Sequence, residues 1–342
     1  MHLKIIRLII IYCCVSQTLF AQNRQYKKRF QLAVGWDNNL FETAGAGFRD
    51  QYLRLFLSQK WRQRSRKSLL NIHVTSWGAF YAEHAIENKL YLNLGLANST
   101  EIRKNLFWQG SIGSQIKKFV TIQFGFFHVA AASSLIYELS RNYRFKLSGY
   151  FQQYQFFQDR EFDTRQILGM VTLSQVLQPQ FVMDYSLELS REVLPNRKLF
   201  PYAFIHYAQK NKFYGFNLGF TWQKELFLRG NFHFENEHSN FSGLDYSLGY
   251  ADVTAAVKIC RPLIFRSNVR WQVKKYGRGD GSYPVIGIDP EVGAGSNGNF
   301  DLVYSLSQKS SLILRARLLK QESTVRNRYY AKRIFELILE MK

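Results

Sequence analysis

Cysteine is nearly missing from this 342-residue chain: three occur, at Cys13, Cys14 and Cys260, too few for a disulfide framework. Acidic residues are scarce beside basic ones, 25 Asp and Glu against 46 Lys and Arg, a formal charge of +21. Beyond residue 21 no uncharged apolar run reaches roughly 18 residues, which excludes a bundle of transmembrane helices. No Gly-x-Ser-x-Gly elbow is present to present a nucleophile. What the chain does hold is aromatic: 29 Phe, 20 Tyr and 6 Trp exclude disorder as a description of the whole. With 46% hydrophobic residues, a folded core is well supplied, and no linker or composition break marks a second domain.

The first 21 residues, MHLKIIRLIIIYCCVSQTLFA, have a positive start at Lys4 and Arg7, a short apolar stretch over 8–15, and a small residue, Ala21, at their end. This is the pattern of a secretory signal peptide, and it predicts cleavage after Ala21. A lipid anchor on Cys13 or Cys14 is disfavoured by the bulky Ile and Tyr before the pair. Cleavage removes two positive charges and no negative ones, taking the net charge from +21 to +19. The exported chain keeps only Cys260 and can form no internal disulfide.

From Phe30 onward the dominant period is two. Phe30, Leu32, Val34 and Trp36 alternate with Gln31, Ala33 and Gly35, and Phe181, Met183, Tyr185, Leu187 and Leu189 alternate with polar residues. The same holds for Tyr214, Phe216, Leu218, Phe220 and Trp222, and at the end for Phe335, Leu337, Leu339 and Met341. Strict alternation argues for strands with one apolar face. Candidate segments lie at 30–36, 51–61, 69–80, 90–96, 105–115, 120–127, 134–139, 143–154, 165–174, 181–190, 199–207, 214–222, 226–235, 250–259, 263–274, 300–306, 312–319 and 335–341. The segments 90–96 and 199–207 fit the rhythm of the loops worst, so the expectation is 16 to 18 strands, an even number in either case.

Short connections at 140–142, 223–225 and 307–310 contrast with long ones at 37–50, 156–164, 191–198 and the Gly-rich 276–299. Short turns on one side and long loops on the other suit a transmembrane antiparallel up-and-down β-barrel, all-β, in a bacterial outer membrane. A soluble sandwich or propeller also alternates, but it brings uninterrupted buried runs and fewer aromatics. Bulky aromatics near strand ends, namely Trp36, Trp61, Trp77, Phe80, Tyr81, Tyr150, Phe151, Tyr154, Trp222, Trp271 and Tyr276, fit an interfacial girdle. Residues 22–28 read as a short periplasmic tail and 29–342 as the barrel.

Over essentially all of 30–342, with turn segments such as Leu173 to Pro179 followed by Phe181, the chain resembles bacterial outer-membrane β-barrels of the porin-like kind. The resemblance is architectural and implies no particular site residues. It departs from the group at its last residues, Glu340-Met341-Lys342, where such barrels commonly end on an aromatic residue that the insertion machinery reads.

Alternation assigns ten basic residues to the lumen: Arg54, Arg144, Lys146, Arg229, Lys258, Arg266, Arg270, Lys274, Arg315 and Arg317. Seven acidic residues join them: Asp184, Glu188, Glu235, Asp252, Asp301, Glu336 and Glu340. A positively biased wall predicts a weakly anion-selective passage for small hydrophilic solutes; the alternative is a barrel stiffened by its own ion pairs, structural, adhesive or part of an export or assembly machine. Other basic residues fall in turns, as at Arg62, Arg64, Arg66, Lys67, Lys117 and Lys118, where they are expected either to neutralise outer-membrane lipid phosphates or to stay solvated. The charge is dispersed, which argues against nucleic acid.

Enzymatic and cofactor signals are weak. His233, Glu235, Glu237 and His238 are close in sequence, but with Glu237 and His238 in a loop they read as a solvated rim without a metal. Ser239 or Ser242 near His238, and Asp159 or Asp163, cannot be paired as a hydrolase site from spacing alone. Asp37-Asn38-Asn39 with Glu42 is oxygen-rich yet lacks the ordered spacing of a calcium loop, and turn chemistry accounts for it. Arg278-Gly279-Asp280 reads as a flexible turn. The expectation is a barrel that is not an enzyme and has no cofactor.

Overall fold

A computed structural model of the chain describes residues 24–39, 48–121, 124–158, 160–198, 206–240, 245–276, 295–321 and 330–342. The expected signal segment 1–21 lies outside the described residues, as do 277–294 with the Arg-Gly-Asp triplet.

Sixteen strands follow in order: β1 (Arg24–Asp37), β2 (Asp50–Arg64), β3 (Ser68–Tyr81), β4 (Lys89–Arg103), β5 (Leu106–Phe119), β6 (Gly125–Glu138), β7 (Tyr143–Phe156), β8 (Thr164–Gln178), β9 (Phe181–Lys198), β10 (His206–Gln223), β11 (Leu226–Ser239), β12 (Tyr246–Cys260), β13 (Leu263–Tyr276), β14 (Ser296–Ser305), β15 (Ser310–Gln321) and β16 (Tyr330–Met341). Each pairs antiparallel with its chain neighbours, and β1 pairs with β16, so the sheet closes into a barrel with no long open edge. Most strands exceed the 9–11 or so residues that a tilted strand needs to cross a bilayer.

The two faces differ as a lipid-spanning wall requires. On β1, Leu32 and Val34 are 37% and 57% exposed on the outer face, whereas Ala33, between them, is 1% exposed on the inner face. On β10 the outer face carries Tyr214, Phe216, Leu218, Phe220 and Trp222, and the inner face Asn211, Phe213, Gly215, Asn217 and Gly219. An apolar exterior and a polar interior invert the arrangement of a soluble domain, and only lipid outside makes that favourable. The chain is a transmembrane β-barrel of the bacterial outer-membrane type. Short turns such as 65–67, 104–105, 179–180 and 224–225 cluster at one end. At 104–105, Asn105 adopts φ 65°, a left-handed conformation that asparagine tolerates.

The count of sixteen is reached by a different path from the one the pattern suggested. Segment 90–96 is a full strand, β4, with Leu90, Leu94 and Leu96 exposed on the outer face. Residues 125–127 of segment 120–127 and 134–138 of segment 134–139 belong to one strand, β6, because the small residues Ala130-Ala131-Ala132-Ser133 erase the alternation while pairing with β5 and β7 runs straight through. Most of 199–207 lies outside the described residues.

Three further expectations are corrected. The polar, Pro-containing stretch 191–198 is strand, not loop, because β9 and β10 keep pairing to Lys198 and His206 with a register shift between Tyr207 and Gln209. The expected tail 22–28 is strand from Arg24, where β1 pairs with Gln63 to Gln59 of β2. Of the aromatics assigned to the girdle, Trp77, Tyr81, Tyr150 and Tyr154 lie on the inner face: Trp77 is opposite Phe56 and Tyr81 opposite Tyr52, whose neighbour two residues on, Arg54, bonds across the interior. β3 is apolar at both parities, with Ile72, Val74, Trp77 and Phe80, so only its partner strand sets the face.

Candidate functional site: the barrel interior

On the inner face, ion pairs form a continuous run across the closure of the barrel. Arg266 on β13 lies 3.1 Å from Asp301 on β14, whose other oxygen takes a 2.7 Å bond from Nε of Arg315 on β15. Arg315 Nη1 is 3.7 Å from Glu336 on β16, and Arg54 Nε donates to Glu336 Oε1 at 2.8 Å. Arg54 belongs to β2, so its side chain crosses β1 to reach β16. The inward residues of β1 at that level are Ala33 and Gly35, which are small enough to let it pass.

Two more links tie β1 to β16. Gln31 Nε2 donates to Glu340 Oε2 at 2.7 Å, and Lys332 Nζ lies 3.0 Å from Asp37 Oδ2. Beside the latter, Asn39 N donates to Asp37 Oδ1 and Arg333 N to Asn38 Oδ1, so the oxygen-rich segment after β1 forms a turn bound to β16.

A second network spans β9 to β13. Asn217 donates to Glu188, and His233 Nδ1 lies 2.6 Å from Asn217 Oδ1. His233 Nε2 is 3.5 Å from Glu235, and its ring stacks on Tyr250 at 4.5 Å. Arg270 sits over the same tyrosine and pairs with Asp252 through two 2.7 Å bonds. Glu237 is on the inner face within β11, opposite Phe213, rather than in a loop, because β11 continues to Ser239. His238 falls on the outer parity, with its ring 6.0 Å from Tyr214, so the four residues do not converge. Among the described residues no group of three or more His, Cys, Asp or Glu is placed to hold a metal ion. Asp163 accepts a bond from Phe156 N at 2.7 Å, a loop-closing role, while Asp159 and Ser242 lie outside the described residues.

All ten basic residues assigned from alternation share the inner parity, but their surroundings divide them. Arg54, Arg266, Arg270 and Arg315 are tied to carboxylates as above, and Arg144 lies 3.0 Å from Glu138. Lys274 Nζ stands 3.4 Å from the centre of the Tyr246 ring. Lys146, Arg229, Lys258 and Arg317 make no ion pair among the described residues. Arg144, Lys146, Arg229, Lys258 and Arg266 lie within a few residues of the short turns, and of these all but Lys146 are exposed. Pattern reading missed Lys89, Lys117 and Lys332, all buried at the long-loop end, because each lies where the alternation runs into a loop.

No family model and no curated protein matches the chain. Among solved structures, OmpT, an outer-membrane protein of Vibrio cholerae, aligns over 94% of this chain and 98% of its own with 9% identity and a TM-score of 0.51. CdiB from Acinetobacter baumannii aligns over 92% of this chain and 60% of its own, with 10% identity and a TM-score of 0.49. The Pseudomonas putida toluene transporter TodX aligns over 95% and 90%, with 10% identity and a TM-score of 0.41. At these identities the likeness is one of fold, and that fold is the outer-membrane β-barrel.

Proposed function

We propose that the protein is a passive outer-membrane channel for small hydrophilic solutes, with a weak preference for anions, and that it performs no catalysis. The observation that carries this reading is the pair of exposed basic side chains on the inner face near the short turns, Arg229 and Lys258, with Lys146 beside them. None of the three has a carboxylate partner among the described residues, whereas Arg144 and Arg266 at the same end are paired with Glu138 and Asp301. By the usual orientation of such barrels that mouth opens to the periplasm. Inner-face cations without carboxylate partners hold a positive potential where the passage is wet, and that potential raises the local concentration of anions. A sixteen-stranded barrel has a diameter that leaves an aqueous lumen in barrels of this size.

The test is the reversal potential of single channels in a planar bilayer under a salt gradient. An anion-favouring potential is expected. The double variant Arg229→Gln, Lys258→Gln is expected to lower the anion-to-cation permeability ratio by roughly twofold, as loss of two screened charges in water would. A cation-favouring wild type would remove the anion preference, and silence from a folded barrel would remove the channel.

A further inference from the structure

One sector of the interior differs from the rest. Between Leu69 and Tyr81 on β3, Tyr91 and Ser99 on β4, Gln109 and Gln115 on β5, and Phe126 and Ile136 on β6, the inward positions hold no Asp, Glu, Lys or Arg. The two ion-pair networks described above lie on β9 to β16 and β2; the charges on these four strands stand at the ends of the sector, as Lys89 and Lys117 do at one end and Glu138, paired with Arg144, does at the other. Four adjacent strands thus line one side of the passage with aromatic, amide, hydroxyl and small side chains.

Within this sector Trp77 and Tyr91 are register partners, and their rings stack at 5.3 Å with planes 18° apart. Both rings keep part of their surface open. Beside them Asn93 Nδ2 donates to the Tyr91 hydroxyl at 3.3 Å, and Asn93 Oδ1 lies 3.2 Å from His73 Nε2. Gln115 follows on β5 in register with Asn93. One step further along the strands the His73 ring covers Gly95, and beyond it the wall recedes to Gly113 and Ala130; at Gly113 an added Cβ would meet only the Leu94 carbonyl, at 3.4 Å.

We infer that this strip is a binding site for uncharged saccharides passing through the barrel. A pyranose presents an apolar face of C–H groups and a rim of hydroxyls. The stacked indole and phenol rings offer a flat apolar surface to the first, and Asn93, Gln115 and His73 offer donors and acceptors to the second. A hydrocarbon would strip water from those amides without replacing its hydrogen bonds, which is costly. Lys89 and Lys117, the latter in register with Tyr91, close the long-loop end of the strip and lie over the Phe119 ring, so the aromatic and amide surface from Tyr91 to Gln115 is itself uncharged. The recess at Gly113 and Ala130 leaves room for a ring to lie against the sheet. This inference deepens the channel reading and rests on it for the solute's access to the interior.

The experiment measures binding rather than flux, so that the two readings fail separately. The full chain, folded in detergent, is titrated calorimetrically with a linear glucose tetrasaccharide at millimolar concentrations. Saturable binding is expected, weakened about tenfold in Trp77→Ala by loss of the stacking surface. The outward-facing variant Trp271→Ala is expected to bind as the wild type does. If Trp77→Ala fails to fold, Asn93→Leu, which keeps both rings, is expected to give a similar loss. Absence of binding by the folded wild type, or binding unchanged in the folded variants, overturns the inference. Ion conductance without sugar binding keeps the channel and removes the saccharide site; binding by a barrel that is silent in a bilayer keeps the site and removes the channel.

Discussion

Replacing Glu336 by alanine is expected to lower the unfolding free energy of the barrel by about 3–5 kcal/mol, the usual cost of removing one partner from a buried ion pair. Its carboxylate is 1% exposed and is held by Arg54 at 2.8 Å and approached by Arg315 at 3.7 Å. Arg315 retains Asp301, but Arg54, only 16% exposed and with Nη2 already lacking a hydrogen-bond partner, would be left as an uncompensated buried cation. The effect falls on closure in particular, because the Arg54–Glu336 bond joins β2 to β16 across β1. The measurement is denaturant unfolding followed by the shift in gel mobility between folded and unfolded barrel. Removing Arg54 as well, in Arg54→Met with Glu336→Leu, is expected to restore much of the loss, since a buried pair replaced by apolar side chains of similar size is often close to neutral. A Glu336→Ala barrel as stable as the wild type would show that water reaches Arg54 freely.

Gly35→Ala is expected to destabilise by about 1–3 kcal/mol through overpacking. A Cβ at this position would fall 2.4 Å from Cζ and 2.6 Å from the hydroxyl of Tyr52. Tyr52 cannot yield easily: it is 7% exposed, buried with Ala79 and Ile334, and its ring lies 5.2 Å from that of Tyr81. A ring laid over a glycine on the neighbouring strand also helps to pin the register of β1 against β2. The double variant Gly35→Ala, Tyr52→Leu should therefore be more stable than the sum of its two single changes predicts, and unfolding midpoints of the four proteins decide it. Strict additivity would mean that the ring moves aside without cost.

How much of this was legible beforehand depends on the strand. β1, β9, β10 and β16 alternate cleanly, and their faces were readable because lipid on one side and water on the other select opposite residue types at successive positions. β6 reads as two pieces because alanine satisfies either environment. Trp77 and Tyr81 read as girdle residues because the apolar residues of β3 occupy both parities, and the strip around Trp77 and Tyr91 is hidden for the same reason. The ion pairs were invisible in principle. Arg54 and Glu336 are separated by 282 positions, and nothing local to either residue records the other.

The amino-acid sequence by itself determined that this protein is a β-barrel with an apolar outer surface, that its turns are short at one end and long at the other, and that basic residues predominate on the inner parity. These properties follow from the period-two pattern and from turn composition, which act over a few residues. Only the tertiary structure decided how many strands there are, which cations are neutralised and which stand free, and where the interior is aromatic and uncharged. Those depend on which strands become neighbours when the sheet closes, and closure brings β16 and β2 to either side of a first strand whose Ala33 and Gly35 are small enough for a side chain to cross.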